Sequence, residues 1–226
     1  MIAVIVPAHN EQHLLGPCLR ALLRARRAVK ALGEAVQIVV VLDDCSDASE
    51  QVARAHRVEV LKVRARNVGY ARRTGAALML ERGARWLAFT DADSCVPVDW
   101  LVCQLDFAAD AVCGTVHVAH WQAHQDAALR ARYLAHYQAR EGHGHIHGAN
   151  LGVCARAYER AGGFQPLAVH EDVQLVGALT AIGAYIVWTA RNSVSTSSRS
   201  DSRVSGGFGD FLKRQGEPVP GPEDRP

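Results

Sequence analysis

At 226 residues with 49% hydrophobic side chains, the chain has material for one sizeable core and too little length for two comfortable domains and a linker. Its 25 basic and 23 acidic residues leave a formal charge of +2, which excludes the dense positive surface of a nucleic-acid binder. The six cysteines (Cys18, Cys45, Cys95, Cys103, Cys113, Cys154) form no CxxC pair, so reduced and mostly buried thiols are expected, with neither a structural zinc nor a disulfide framework.

The chain opens on the apolar run Ile2 to Val6. This is too short for a signal peptide and lacks a basic leader, and no stretch approaches roughly 18 apolar residues, so a cytoplasmic protein without a membrane span is expected. A helix follows, with Leu15, Cys18, Leu19 and Leu22 on one face and Arg20, Arg24 and Arg27 on another. With Arg26 and Lys30, that basic face suits ordinary solvation, the commoner case, or peripheral contact with an anionic membrane. Val36 to Leu42 and Trp86 to Thr90 lack polar alternation, like the first run, as strands covered on both faces do.

Between them lie a strand at Val58 to Val63 and a helix at Asn67 to Arg82. A helix with proline near its first turn is predicted for Pro97 to Ala108, a strand for Ala111 to Val118, and a long alanine-rich helix for Gln122 to Arg140. After Glu171 the spacing of Val173, Val176, Leu179 and Ile182 predicts a helix closed by Gly183, and Tyr185 to Thr189 reads as the last strand. Strand and helix alternate, so the fold class is α/β, with a mostly parallel sheet flanked by helices. From Ser193 the composition shifts to Ser, Arg and Gly. A mobile loop, a short amphipathic turn at Phe208 to Leu212 and a disordered tail are expected there.

In open α/β sheets, ligands bind beyond the carboxyl ends of the strands. Three predicted strands end in polar, acid-rich runs: Pro7-Ala8-His9-Asn10-Glu11, Asp43-Asp44-Cys45-Ser46-Asp47 and Asp91-Ala92-Asp93. Their carboxylates would repel one another at one sheet edge unless a cation or hydrogen-bond donors stood among them. Asp-x-Asp alone is a chance-level pattern, but on a turn leaving a strand it can hold Mg²⁺ or Mn²⁺ while leaving positions for phosphate oxygens. Plain turn and cap chemistry accounts for the same acids, most readily for Asp43, Asp44 and Asp47.

At these positions the sequence resembles the family 2 glycosyltransferases. PAHNE, DDCSD, NVGYARRTGA, TDADS and then HGANLGVCARAYERAGGF with HEDVQL occur in that family's order, from about residue 2 to about residue 190. The resemblance implies a single GT-A type domain over residues 1–198, with a donor-nucleotide half to about 95 and an acceptor half beyond it, followed by a flexible segment at 199–226. It implies a nucleoside-diphosphate sugar donor, an unknown hydroxyl acceptor and a divalent ion, Mg²⁺ or Mn²⁺. Pro7, Ala8, Glu11 and Asp44 would border the nucleoside, Asp91 the ribose or donor sugar, and Asp93 the metal with Asp91. Asp172 would be the general base of an inverting displacement, with Glu171 beside it. Arg72 or Arg73 would face the donor phosphates or Asp91.

On the acceptor side, His147 and Asn150 belong to the resembling segment, and His170 precedes the Glu-Asp pair. His143, His145 and His147 alternate, which puts their rings on one side of an extended segment; acceptor contacts, an ordinary loop and a transition-metal site are the alternatives. Arg199 and Arg203, ahead of Gly206 to Gly209, suit a basic loop closing over a diphosphate. Some related enzymes supply a late histidine to the metal, and Ser193 to Arg199 contains none. A dinucleotide-dependent dehydrogenase is disfavoured because no GxGxxG follows the first strand. A nucleotidyltransferase would want a glycine-rich basic loop there, and a catalytically silent sugar-nucleotide-binding module is the remaining alternative.

Overall fold

Alternating side chains of the first strand set the layering. Ile2, Val4 and Val6 enter one core and Ala3 and Ile5 another, all at 0–1% exposure, so both faces of the sheet must be covered. The computed structural model describes residues 1–120, 130–131 and 137–197. Among these, the strands β1 (Ile2–Ala8), β2 (Val36–Asp43), β3 (Glu59–Val63), β4 (Trp86–Phe89), β5 (Ala111–His120), β6 (Leu151–Cys154) and β7 (Ile186–Ser197) form one sheet in the order β3-β2-β1-β4-β6-β5-β7. Every pairing is parallel except those of β6 with β4 and β5.

Helices α1 (Leu15–Lys30), α2 (Ser49–Ala55) and α4 (Trp100–Asp106) pack on one face of the sheet. Helices α3 (Val68–Glu81), α5 (Ala155–Arg160) and α6 (Glu171–Ala181) pack on the other. Leu15, Cys18, Leu19 and Leu22 are buried and Arg20, Arg24 and Arg27 exposed, as the periodicity of α1 requires. Helix α3 lies close to the sheet because Gly75 has no side chain: a Cβ there would stand 2.7 Å from Ile5 Cγ2 and 2.8 Å from Val41 Cγ2. Its first turn is capped by Asn67, whose side chain accepts the Tyr70 N–H at 2.8 Å.

The structure corrects four expectations. The Ser-rich stretch after Ser193 is strand to Ser197, paired with Val116 to His120 of β5, and Cys95 bridges Ser195 from the other side. Hydrogen bonding on two edges holds there a composition that by itself suits a loop. Residues 137–140 are not helical, so the long helix does not reach Arg140; Arg130 and Ala131 are helical, and the rest of 121–136 lies outside the described residues. Helix α4 begins at Trp100, a turn later than Pro97. On α6 the buried face is Leu175, Val176 and Leu179, while Val173 is 47% exposed. None of the helices among the described residues is long and apolar enough to cross a membrane.

Candidate active site

A cleft of about 1090 Å³ opens where β1, β2 and β4 end, and the start of α6 and the 144–149 segment close its other side. Pro7, Ala8, His9 and Glu11 line it from β1, Asp43 with Arg66 and Asn67 from β2 and the loop after β3, and Asp91 and Asp93 from β4. His145, His147, Gly148, His170, Glu171, Asp172 and Thr196 come from the second half of the chain. Among the described residues, six carboxylates thus line the cleft against two guanidiniums.

The acids after β2 are held by the main chain. Asp43 accepts the N–H groups of Ala65 (2.7 Å) and Arg66 (2.9 Å) on one oxygen and of Asn67 (2.7 Å) on the other. Its carbonyl takes the His9 Nδ1–H at 2.6 Å, joining the first two loops. Asp44, in the left-handed region at φ 50°, turns away from the lining and accepts Arg66 Nε at 2.6 Å, a bond that holds its carboxyl below the usual range. Of the two adjacent acids, Asp43 therefore lines the cleft and Asp44 does not. Asp47 accepts the Gln12 and Ser49 N–H groups, both at 2.9 Å, and so ties the first loop to the start of α2.

Asp91 and Glu171, one on each side of the cleft, are held through a side chain. Arg72 of α3, 3% exposed, donates from Nη2 to Asp91 at 2.5 Å and from Nη1 to Glu171, and its guanidinium lies 5.6 Å from the Phe164 ring centroid. Burial pulls the guanidinium's pKa down, but Asp91, Glu171 and Asp172 outweigh it and the net direction is up. Burial pushes the Glu171 carboxyl up against the pull of Arg72. Of the two arginines, Arg72 meets Asp91, and Arg73 is exposed.

Asp172 follows directly because His170, left-handed at φ 59°, turns the chain into α6. Its Oδ2 accepts the Gly148 N–H at 2.7 Å and its Oδ1 the Val173 N–H at 2.8 Å. Asp93 Oδ1 accepts the Ser94 hydroxyl at 3.3 Å, and the same hydroxyl contacts Thr196 Oγ1 at 3.0 Å, which brings β7 to this loop. Neither Thr196 nor Tyr137 stands out in the sequence, because only the pairing of β7 and the path of the chain near residue 137 bring them to the cleft.

The imidazoles do lie on one side of their segment, with ring centroids 5.4 Å apart for His143 and His145 and 6.0 Å for His145 and His147. Tyr137 stacks on His145 at 4.2 Å. Tyr137 Oη accepts the Val116 N–H at 2.9 Å and stands 3.0 Å from His147 Nε2. Burial drives His147 down to about 4, so it is neutral at pH 7. The Asp172 charge acts on His147 against that burial. His170 is exposed at the rim. Asn150 does not reach the cleft: fully buried, it accepts the Trp100 Nε1–H at 2.9 Å and donates to the carbonyls of Thr115 and Asn192. Arg199 and Arg203 lie outside the described residues.

No curated protein matches the sequence closely enough to count as a relative. Solved structures with this fold include S. aureus TarS in complex with UDP-GlcNAc, at 15% identity and TM-score 0.67 over 92% of this chain and 61% of that one. A mannosyltransferase from Pyrobaculum calidifontis in complex with GDP-Man and Mn²⁺ matches at 17% identity and TM-score 0.66, over 89% and 58%. M. tuberculosis glucosyl-3-phosphoglycerate synthase with Mn²⁺, UDP and phosphoglyceric acid matches at 16% and 0.62, over 97% and 80%. The chain spans 42 to 69% of the length of the TarS chains that it matches. These are GT-A glycosyltransferases, and residues 3–157, from β1 into α5, match the Glycosyl transferase family 2 profile. A doubly covered sheet with its acidic loops gathered at one edge, and a profile match over most of the chain, place this protein in glycosyl transferase family 2.

Proposed function

We propose that the protein transfers a sugar from a nucleoside-diphosphate sugar to an acceptor hydroxyl with inversion, using Asp172 as general base and Mg²⁺ or Mn²⁺ at Asp91 and Asp93. The observation that carries this reading is the placement of the Asp91-Ala92-Asp93 turn and of Asp172 on opposing walls of one cleft. Pro7, Ala8 and Glu11 border the donor end, where the nucleoside would sit. Asp44, turned toward Arg66, would act from outside the lining.

The donor set suits a hard divalent ion. Carboxylates outnumber guanidiniums in the lining, Arg72 occupies one oxygen of Asp91, and two carboxylates leave room for diphosphate oxygens. The ion would supply charge neutralisation for the departing diphosphate.

Asp172 carries the acceptor chemistry. As the acceptor oxygen bonds to the anomeric carbon, the bond from that carbon to the diphosphate oxygen breaks, and the acceptor's proton passes to an Asp172 oxygen. The Gly148 and Val173 amides orient the carboxylate and leave lone pairs on both oxygens. Neutral His147 and the Tyr137 ring stacked on His145 give Asp172 polar neighbours on the acceptor side.

UDP and GDP binding, measured by calorimetry with Mn²⁺ and with chelator, tests the reading. Affinity should depend on the metal and fall about tenfold or more in Asp93→Asn. Equal affinity with chelator and with Mn²⁺ would remove the metal assignment.

A further inference from the structure

The Arg72 cluster joins two segments far apart in the chain. Its guanidinium stands between a carboxylate of the loop after β4 and one at the start of α6. Leaving either partner would strand a buried charge, so its position is tightly set. Arg72 Nε is buried without a hydrogen-bond partner among the described residues. The two carboxylates, gripping the Nη groups, are therefore what place the guanidinium.

The same guanidinium is a seat for the backbone of the histidine-rich segment. A Cβ on Gly148 would overlap Nη1, Nη2 and Cζ of Arg72, and a guanidinium held on both edges cannot give way. Gly148 in turn holds Asp172 through its N–H. The contacts therefore run without a gap from Asp91 through Arg72 to Gly148 and Glu171, and from Gly148 to Asp172.

We infer that Arg72 is a positioning residue that couples the two walls of the cleft: occupation of the donor side, where Asp91 sits, tightens the seat of Gly148 and Asp172 on the acceptor side. The inference rests on the donor-site reading above. Coupling of this kind is reciprocal, so an acceptor held at Asp172 would strengthen nucleotide binding by the same factor.

Amide hydrogen exchange of the whole protein tests it, with and without Mn²⁺ plus UDP or GDP. In the wild type the nucleotide should slow exchange by about fivefold or more at 91–95, and also at 143–150 and 169–173. Glu171→Met leaves the Arg72 pair with Asp91 in place and, having no oxygen to accept the Arg72 Nη1–H, cuts the link to α6. It should bind nucleotide within about threefold of wild type yet show protection only at 91–95. Gly148→Ala, which lifts the backbone off the guanidinium, should behave likewise and serves as the variant arm if Glu171→Met does not fold. Acceptor-side protection that persists in a folded variant would mean direct contact with the nucleotide and overturn the coupling. Wild-type protection confined to the donor loops overturns it too. Absence of binding by either nucleotide overturns the donor-site reading and the coupling with it.

Discussion

The two acidic regions of the cleft are built on different supports. After β2, Asp43 and Asp47 accept five backbone N–H groups between them, so the main chain itself absorbs their charge. After β4 and at the start of α6, Asp91 and Glu171 share one buried guanidinium. Among the described residues that leaves negative charge in surplus around the clamp, with Asp93 on one side of the cleft and Asp172 on the other. Acids that look alike along the chain therefore divide in the fold. One group is spent on joining loops, and the other is left with less of its charge compensated.

That division predicts separable effects. The largest should come from Asp172→Asn, which keeps the shape of the side chain and loses its basicity. Transfer to the true acceptor should slow by about 10²- to 10⁴-fold, while metal-dependent nucleotide binding stays within about threefold. Normal turnover would reassign the base, with Glu171 the next candidate.

Next in size is Arg72→Met, which leaves two carboxylates facing each other at a buried position. It should cost about 3–5 kcal/mol in urea unfolding. A loss below about 0.5 kcal/mol, the scale of a surface change, would show that the clamp does not hold the two walls together.

Acid should weaken the acceptor wall through His147. The unfolded chain takes up this proton near pH 6.5, and the folded protein takes it up only near 4. The stability this group contributes is therefore complete above about 6.5 and is lost as pH falls toward 4, at no more than about 1.4 kcal/mol per pH unit. His143, also lowered by burial, acts in the same direction. Denaturation midpoints of wild type and His147→Gln between pH 7 and 4.5 check this, and parallel curves would contradict it.

The smallest effect, and the sharpest contrast with Asp93→Asn, is expected for Asp47→Ala. It removes the bonds to Gln12 and Ser49 and should lower stability by about 1 kcal/mol with nucleotide affinity unchanged. A large loss of affinity would place Asp47 among the working carboxylates.

Much of this fold is legible without coordinates because the signals are local. The apolar runs of β1, β2 and β4 and the leucine face of α1 repeat over two to four residues. Acids that follow an apolar run are bound to gather at the carboxyl edge of a parallel sheet. Strand β6 is different: four residues long, it is defined by neighbours on both sides rather than by its own pattern. The end of β7 is similar, with Ser193 to Ser197 ordered as strand by β5 and Cys95.

In the site, the acidic loops were legible from the sequence itself, and the Glu171-Asp172 pair from its resemblance to the family. Which of Asp43 and Asp44 faces the cleft depended on the reversal of the backbone at Asp44. Whether Arg72 or Arg73 meets Asp91 depended on the rotation of α3 against the sheet, and the burial of Asn150 on where β6 enters it. These choices rest on contacts between residues far apart in the chain, and only the packed sheet and helices bring such residues together.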